Sequence, residues 1–569
     1  MDFKKSIAVC ITGALQEAFG QAPLTAEEIQ QVLEIPPDPS LGDYAFPCFR
    51  LAKGLRKAPA VIADGLREAI NAPFLARVDS VKGYLNFYIN RVLYAREVVE
   101  KALREGANYG AGDEGAGKTV CIDYSSINIA KRFHIGHLST TMIGHALNKM
   151  YRFRGYDVVS INHLGDWGTQ FGKMVCAYKK WGDKAAVERG GVDEMVRLYV
   201  QFEKASQDDP ALADEGRAWF KRIEEGDPEA LEIFEWFKSV TLRDAERVYD
   251  ILGVKFDSYA GESFYNDKMQ PVIDELQAKG LLSESDGAQV VDLEAHGMPP
   301  CLILKKDGAT LYATRDLAAA FYRKRVYDFT KCLYVVAYQQ NLHFRQWFKV
   351  IELMGYDWHA QLEHVAFGMV SYEGETLSTR KGHVVYLEDL LNQSIAKARA
   401  IIDEKSPALE NKDEVARQVG VGAVIFFDLY NNRIKDIDFW WDRALNFDGE
   451  TAPYVQYTHA RCCSVLRKAR EPDCAPDYAA LADPESQDVV RLIEQFPDLV
   501  TTALERSEPS MITRFIVDLA QAYNKFYYER RILDEDLPTR KARLGLTRAT
   551  ATLIKSALGL IGIQAPEQM

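Results

Sequence analysis

The stretch Asp123-Tyr-Ser-Ser-Ile-Asn-Ile-Ala-Lys-Arg-Phe-His-Ile-Gly-His137 decides the fold through what flanks it. Thr119 to Tyr124 leads into it as a short β-rich run. From about Gly136 to Phe153, Leu138, Met142, Ile143, Ala146, Leu147 and Met150 recur at helical spacing, and Asp157-Val-Val-Ser-Ile-Asn162 reads as a second strand. Strand, loop, helix and strand in so short a span form a βαβ unit, which predicts a parallel sheet. Leu333 to Ala337 and His364 to Val370 suit the same sheet. The highly charged helical residues between, roughly 178 to 280, read as an insertion between the halves of an α/β core.

The loop stands where a strand hands over to a helix. A helix N-terminus presents unpaired amides and partial positive charge, which suit phosphate. Gly136 lets a bulky group approach the backbone, His134 and His137 add donors toward developing charge, and Lys131 adds a cation. Read alone, the histidines fit a helix cap as well. They lack the third ligand of an HEXXH-type helix, so no protein-bound metal is expected. Downstream, Gly374-Glu-Thr-Leu-Ser-Thr-Arg-Lys-Gly382 brackets hydroxyls and cations with glycines. That composition suits a loop closing over a triphosphate, and equally a solvated surface loop.

Further out, residues 1 to about 110 read as a small α/β unit. Lys4 and Lys5 ahead of the apolar run Ile7 to Leu15 faintly imitate a secretion signal. Gln16 and Glu17 follow without a cleavage pattern, and Ile7, Ile11, Ala14, Leu15 and Phe19 share one helical face, so an amphipathic first helix is expected. Tyr84 to Ile89 alternates as a strand, and five glycines between Gly106 and Gly117 mark a domain boundary. From about residue 385 the pattern is almost wholly helical. Ile512, Phe515, Ile516, Leu519, Tyr523 and Phe526 form one apolar stripe there.

The 569 residues are 47% apolar and 27% charged, an ordinary globular balance. Lys and Arg number 69 against 82 acids, and the net charge of −13 argues against bulk attraction to DNA or anionic membranes. A nucleic-acid partner stays open, since only the facing surface must be positive. No stretch approaches the roughly 18 apolar residues of a membrane helix. Nine scattered cysteines without a CxxC pair suit a reduced, cytoplasmic compartment.

Taken together, the segments resemble the class I aminoacyl-tRNA synthetases, whose HIGH and KMSKS motifs sit on a split nucleotide-binding fold. Fuller matches narrow the resemblance to the arginyl-tRNA synthetase family. They are Ser125-Ser-Ile-Asn-Ile-Ala-Lys-Arg-Phe-His-Ile-Gly-His-Leu138, Leu164-Gly-Asp-Trp-Gly-Thr-Gln-Phe-Gly172, Tyr312-Ala-Thr-Arg-Asp316 and Leu377-Ser-Thr-Arg-Lys-Gly382. Phe447-Asp-Gly-Glu-Thr-Ala-Pro-Tyr-Val-Gln-Tyr-Thr-His-Ala-Arg461 resembles the opening of that family's anticodon-binding bundle. The resemblance implies an α/β fold: a Rossmann-like parallel-sheet catalytic domain with a helical insertion, a small N-terminal α/β domain and a C-terminal all-α bundle. The implied regions are 1–110 for contact with tRNA, 118–385 for catalysis, 386–446 as a helical connection and 447–569 for the anticodon.

It further implies ATP-dependent attachment of L-arginine to tRNA(Arg) through an arginyl-adenylate, with Mg²⁺ accompanying ATP and a monomeric chain. Asp123, Asn128, Tyr312, Asp316 and Gln340 match the arginine-holding positions. Tyr312 and Asp316 would grip the guanidinium, and being four apart they share a face if helical. Lys131, His134, Gly136, His137 and Val370 would receive ATP, with Ser378, Arg380 and Lys381 of the second loop assisting catalysis. Asn86, Phe87 and Tyr88 are candidates to meet tRNA from the N-terminal unit, and Arg461 from the bundle. Arg530 and Arg531, interleaved with Tyr523, Phe526, Tyr527 and Tyr528, suit single-stranded loop recognition, although several of those rings also lie on the apolar stripe.

This chain departs from the family pattern in three places. Asp123 stands where Glu is usual, and Ile127 where proline is frequent. The second loop reads Thr376-Leu-Ser-Thr-Arg380, without either signature lysine. In many arginine enzymes a lysine just before HIGH takes over that charge, and Lys131 occupies the position.

Overall fold

Val120, Cys121, Ile122, Cys332 and Leu333 are completely buried, the continuous apolar pattern of strands covered on both faces. In the computed structural model, which describes residues 2–306, 310, 312–376, 384–534 and 536–569, these runs form one parallel sheet. Its order is Leu362–Phe367, Lys331–Ala337, Thr119–Asp123 and Asp157–Ile161. The chain steps outward one way from Thr119–Asp123 and the other way from Lys331–Ala337. The gap between their C-terminal ends is therefore the topological switch point, where open α/β sheets bind ligands.

The chain divides into two compact units. The unit made of Gly110–Ala460, Pro497–Val517 and Ile554–Met569 holds the parallel sheet. Its helix Leu138–Phe153 is buried at every residue from Leu138 to Asn148, far more than one amphipathic stripe requires. The cause is a second cover, the helix Lys412–Tyr430, against which Ser139 bonds Asp428. The insertion consists of the helices Thr169–Trp181, Lys184–Asp208, Pro210–Glu224 and Pro228–Leu252. Gly191, at φ +56°, kinks the second of them.

Two small sheets in this unit were not expected. Leu282–Ser285, Ala288–Val291 and Cys301–Leu304 form an antiparallel sheet. Its first hairpin turns on Asp286 and Gly287, both at positive φ (+49° and +80°), the Asp-Gly signal of a tight hairpin. Val370–Tyr372 pairs with Glu375–Thr376 and, from the region read as helical, Ile437–Phe439.

The other unit comprises Met1–Tyr109, Arg461–Phe496 and Asp518–Leu553. The helix Phe3–Phe19 is capped by Asp2 and buries Phe3, Ile7, Ala8, Ile11, Ala14 and Leu15, as the first-helix pattern anticipates. Strand Tyr84–Ile89 lies between Tyr44–Pro47 and Leu75–Val81. Within the unit this small domain meets the later helices: Tyr44 Oη donates to Glu494 Oε1 (2.7 Å) and Gln487 Nε2 to the Arg91 carbonyl (3.2 Å). No helix among the described residues is long and apolar enough to cross a membrane.

Candidate active site

The loop leaving the sheet at Asp123 is held in an unusual backbone shape. Ser125, Ser126 and Ala130 all take positive φ (+70°, +47° and +61°), each costing about 1 kcal/mol or more. The surroundings enforce it. The Ser125 amide donates to Thr140 Oγ1 (3.0 Å), the Ala130 amide to Thr241 Oγ1 (3.0 Å), and the Ile129 amide to the Gly165 carbonyl (3.1 Å). Gly165 must be glycine, because a Cβ there would collide with Asn128 Oδ1.

His134 and His137 do cap the following turn, and in doing so His134 sets its tautomer. The Gly136 amide donates to His134 Nδ1 (3.1 Å), and the His134 amide to His137 Nδ1 (3.2 Å). A backbone amide only donates, so His134 Nδ1 accepts and its proton sits on Nε2. His137 Nδ1 instead lies between the His134 amide and the His134 carbonyl (3.3 Å) and can accept from one or donate to the other. Neither Nε2 has a partner among the described residues. Burial and the Lys131 charge lower the His134 pKa; burial, then His134 and Lys131, drive His137 down to about 3. The rings, 4.0 Å apart, are therefore neutral at neutral pH, and His134 keeps Nε2–H as a donor.

Lys131 is exposed and has no partner among the described residues. It also lines a cleft of about 370 Å³ against the insertion, which the histidines do not line. The chain just beyond the second loop is zipped to the first: the Ile135 amide donates to the Val385 carbonyl and the Leu387 amide to the Phe133 carbonyl (both 2.9 Å). Ser378, Arg380 and Lys381 themselves lie outside the described residues. Val370 is buried at the head of its strand, beyond the C-terminal end of the parallel sheet.

Across the switch point the chemistry becomes acidic. Tyr312 and Asp316 are indeed one turn apart on the helix Tyr312–Tyr327, with Tyr312 exposed. Asp316 Oδ2 lies 2.6 Å from His343 Nε2, which ties that helix to Asn341–Leu353, one turn beyond Gln340. Glu262 joins them and was not anticipated. Burial raises its carboxyl to about 7, Arg315 opposes the rise, and Asp166 and Asp316 add to it. Asp166 is fully buried and held by Lys238 (2.7 Å) and the Ser263 amide (2.8 Å). It fixes the segment bearing Glu262, and Gly261 there leaves no space for a Cβ.

Other placements amend the expectations. Asp123 is buried, its carboxylate taken by Arg323 (2.7 Å) and Ser126 Oγ (2.9 Å), so it is a buried counter-ion rather than an open ligand. Asn86 and Phe87 are corrected outright: at 3% and 0% exposure they are interior residues of the N-terminal sheet. Tyr88 stays partly exposed, with the Arg77 guanidinium 3.8 Å over its ring. Arg530 is engaged by Glu485 (2.5 Å) and Asp483 (3.1 Å), whereas Arg531 is exposed. Arg461 bonds Asn524 and stands 5.1 Å and 5.5 Å from the Tyr527 and Tyr528 rings. Tyr528 is 73% exposed, while Tyr523 and Phe526 are core.

Residues 98–441 match the family described as tRNA synthetases class I (R), catalytic domain. Residues 455–569 match the DALR anticodon binding domain, and 5–89 the arginyl tRNA synthetase N terminal domain. Arginine–tRNA ligases of Clostridioides difficile and Alkaliphilus metalliredigens are 54% and 52% identical to the chain, over all of its length and all of theirs. The solved arginyl-tRNA synthetase of Thermus thermophilus superposes with a TM-score of 0.82 at 26% identity, covering both chains completely. With the switch-point geometry and full-length similarity in agreement, the chain belongs to the arginine–tRNA ligase family.

Proposed function

We propose that the family's reaction is divided here between a neutral half that receives ATP and an acidic half that receives arginine. The arginine carboxylate attacks the α-phosphorus of ATP, the bond to the bridging oxygen breaks, and pyrophosphate leaves. A hydroxyl of the terminal adenosine of tRNA then attacks the adenylate carbonyl, and AMP leaves. In-line transfer at phosphorus needs positioning and charge stabilisation more than covalent help.

In this reading His134 and His137 donate through Nε2–H to phosphate oxygens, Gly136 lets the nucleotide approach, and Lys131 supplies the permanent charge. Ser378, Arg380 and Lys381 assist from the second loop, and Val370 borders the nucleotide. Asp316, Tyr312 and Glu262 grip the guanidinium; His343 steadies Asp316. Asn128 and Gln340 hold the amino-acid end, and Asp123 acts through Arg323 beneath them. Mg²⁺ enters with ATP as part of the substrate. Arg461, Tyr527, Tyr528 and Arg531 form the tRNA-facing platform. The division into 1–110, 118–385, 386–446 and 447–569, a monomeric state and a cytoplasmic location complete the proposal.

The observation that carries it is His134 Nδ1 capped by the Gly136 amide, which leaves an Nε2–H donor beside the neutral His137 ring. The test is single-turnover adenylate formation by Lys131→Ala with tRNA present. A drop of about 100-fold with arginine affinity intact supports the assignment. A rate near that of the unaltered chain removes Lys131 from it.

A further inference from the structure

We propose that the catalytic unit carries a second anion site, separate from the ATP pocket, in which His145, Lys149 and Arg417 bind a phosphate-class oxyanion. A cleft of about 250 Å³ lies between the helix Leu138–Phe153, the end of Pro228–Leu252, the helix Lys412–Tyr430 and residues 559–564. That space is several times the roughly 30 Å³ share of one water molecule.

His145 lines it at 6% exposure, and neither ring nitrogen has a hydrogen-bond partner among the described residues. Buried polar groups are rarely left in that condition. Lys149 is half-buried with no partner among the described residues, and burial lowers its pKa. Arg417 reaches in from the facing helix, anchored on the Asp250 carbonyl at 3.0 Å. Asp250 contributes the one carboxylate among the described lining residues, so the cleft is cationic within a chain of net charge −13. Gly559 adds open wall, since a Cβ there would meet nothing within 4 Å.

Convergent donors from a lysine, an arginine and an imidazole match the oxygens of a phosphate better than the two of a carboxylate. The oxyanion has two possible sources, a free phosphate or pyrophosphate, or a phosphodiester of bound tRNA.

The test uses the full chain with its active site filled by a non-hydrolysable arginyl-adenylate analogue. Inorganic phosphate and pyrophosphate are titrated by calorimetry, and tRNA binding is measured across a salt series. Two variants are compared, Lys149→Met/Arg417→Met and Gly559→Glu, with Gly559→Ala as control. The proposal expects saturable binding that falls at least about tenfold in both variants and is unchanged in the control. Loss confined to the free anions identifies a free oxyanion. Loss confined to tRNA, with a salt slope smaller by about one per phosphate contact removed, identifies the RNA backbone. If neither binding responds in either variant, the proposal is overturned.

Discussion

The two halves of the active site solve opposite electrostatic problems by different means. On the proposed ATP side a highly charged ligand would meet two imidazoles kept neutral by burial and held by backbone amides. On the proposed arginine side a single permanent cation would meet Asp316 and Glu262, the latter raised by burial to about 7. The first half combines preorganised dipoles with the Lys131 charge, and the second relies on carboxylates. Neutral donors avoid desolvating a cation and need no reorganisation as negative charge grows. A guanidinium, whose charge is fixed, is best selected by carboxylates of matching geometry.

The largest expected effect comes from moving the donor. His134→Asn keeps an amide where Nδ1 stood and removes the outward donor, so single-turnover adenylate formation should fall by about 100- to 1,000-fold. His134→Gln restores a donor near Nε2 and should recover part of that rate. Equal losses in both would break the tautomer account. On the acidic side, Asp316→Asn should cost about 2–3 kcal/mol in kcat/KM for arginine, roughly 30- to 160-fold, with the KM for ATP unchanged. An ATP defect of equal size would dissolve the division into halves.

Glu262 sharpens the contrast through pH. Its carboxyl titrates near 7 in the free site, and a bound guanidinium favours the ionised form, so arginine binding releases a proton. The KM for arginine should fall as pH rises from 6 to 7.5, by up to about tenfold per unit below the midpoint, and then level off. Glu262→Gln should bind about tenfold more weakly at pH 8 and lose the dependence in this window. The smallest effect on turnover should come from Asp428, whose buried carboxyl is raised to about 7 beneath the histidine-bearing helix. Its folded-state pKa lies above the unfolded value, so its ionisation costs stability increasingly from about pH 4 to 7. Asp428→Asn should therefore raise the unfolding free energy at pH 8 by on the order of 1–3 kcal/mol, read as a higher thermal midpoint, and leave it unchanged near pH 4. Aminoacylation by this variant should stay within about twofold.

How far these regions were legible differs for physical reasons. The signature loop and the parallel strands are local patterns, set by period and by the strand-to-helix handover, and they appear at the expected places. The Asp286-Gly287 hairpin is equally local and lies just beyond the insertion read at roughly 178 to 280, in a stretch to which no strand was assigned. Glu262 was beyond sequence reading, because its raised pKa comes chiefly from burial in the tertiary fold, with Asp166 and Asp316 adding to it from distant parts of the chain. Asn86 and Phe87 were misplaced because alternation marks a strand without saying whether both faces will be covered. Arg530 showed its charge in the sequence but not Glu485, 45 residues away, which takes it up.

The most direct test of the neutral-donor account is nitrogen-15 NMR of the His134 and His137 rings from pH 5.5 to 8.5, assigned by single-residue substitution. Both rings should have midpoints below the ordinary imidazole value, with His137 uncharged across the whole range and the neutral His134 carrying its proton on Nε2. A midpoint at or above the ordinary imidazole value for either ring, or a proton resident on His134 Nδ1, would contradict it.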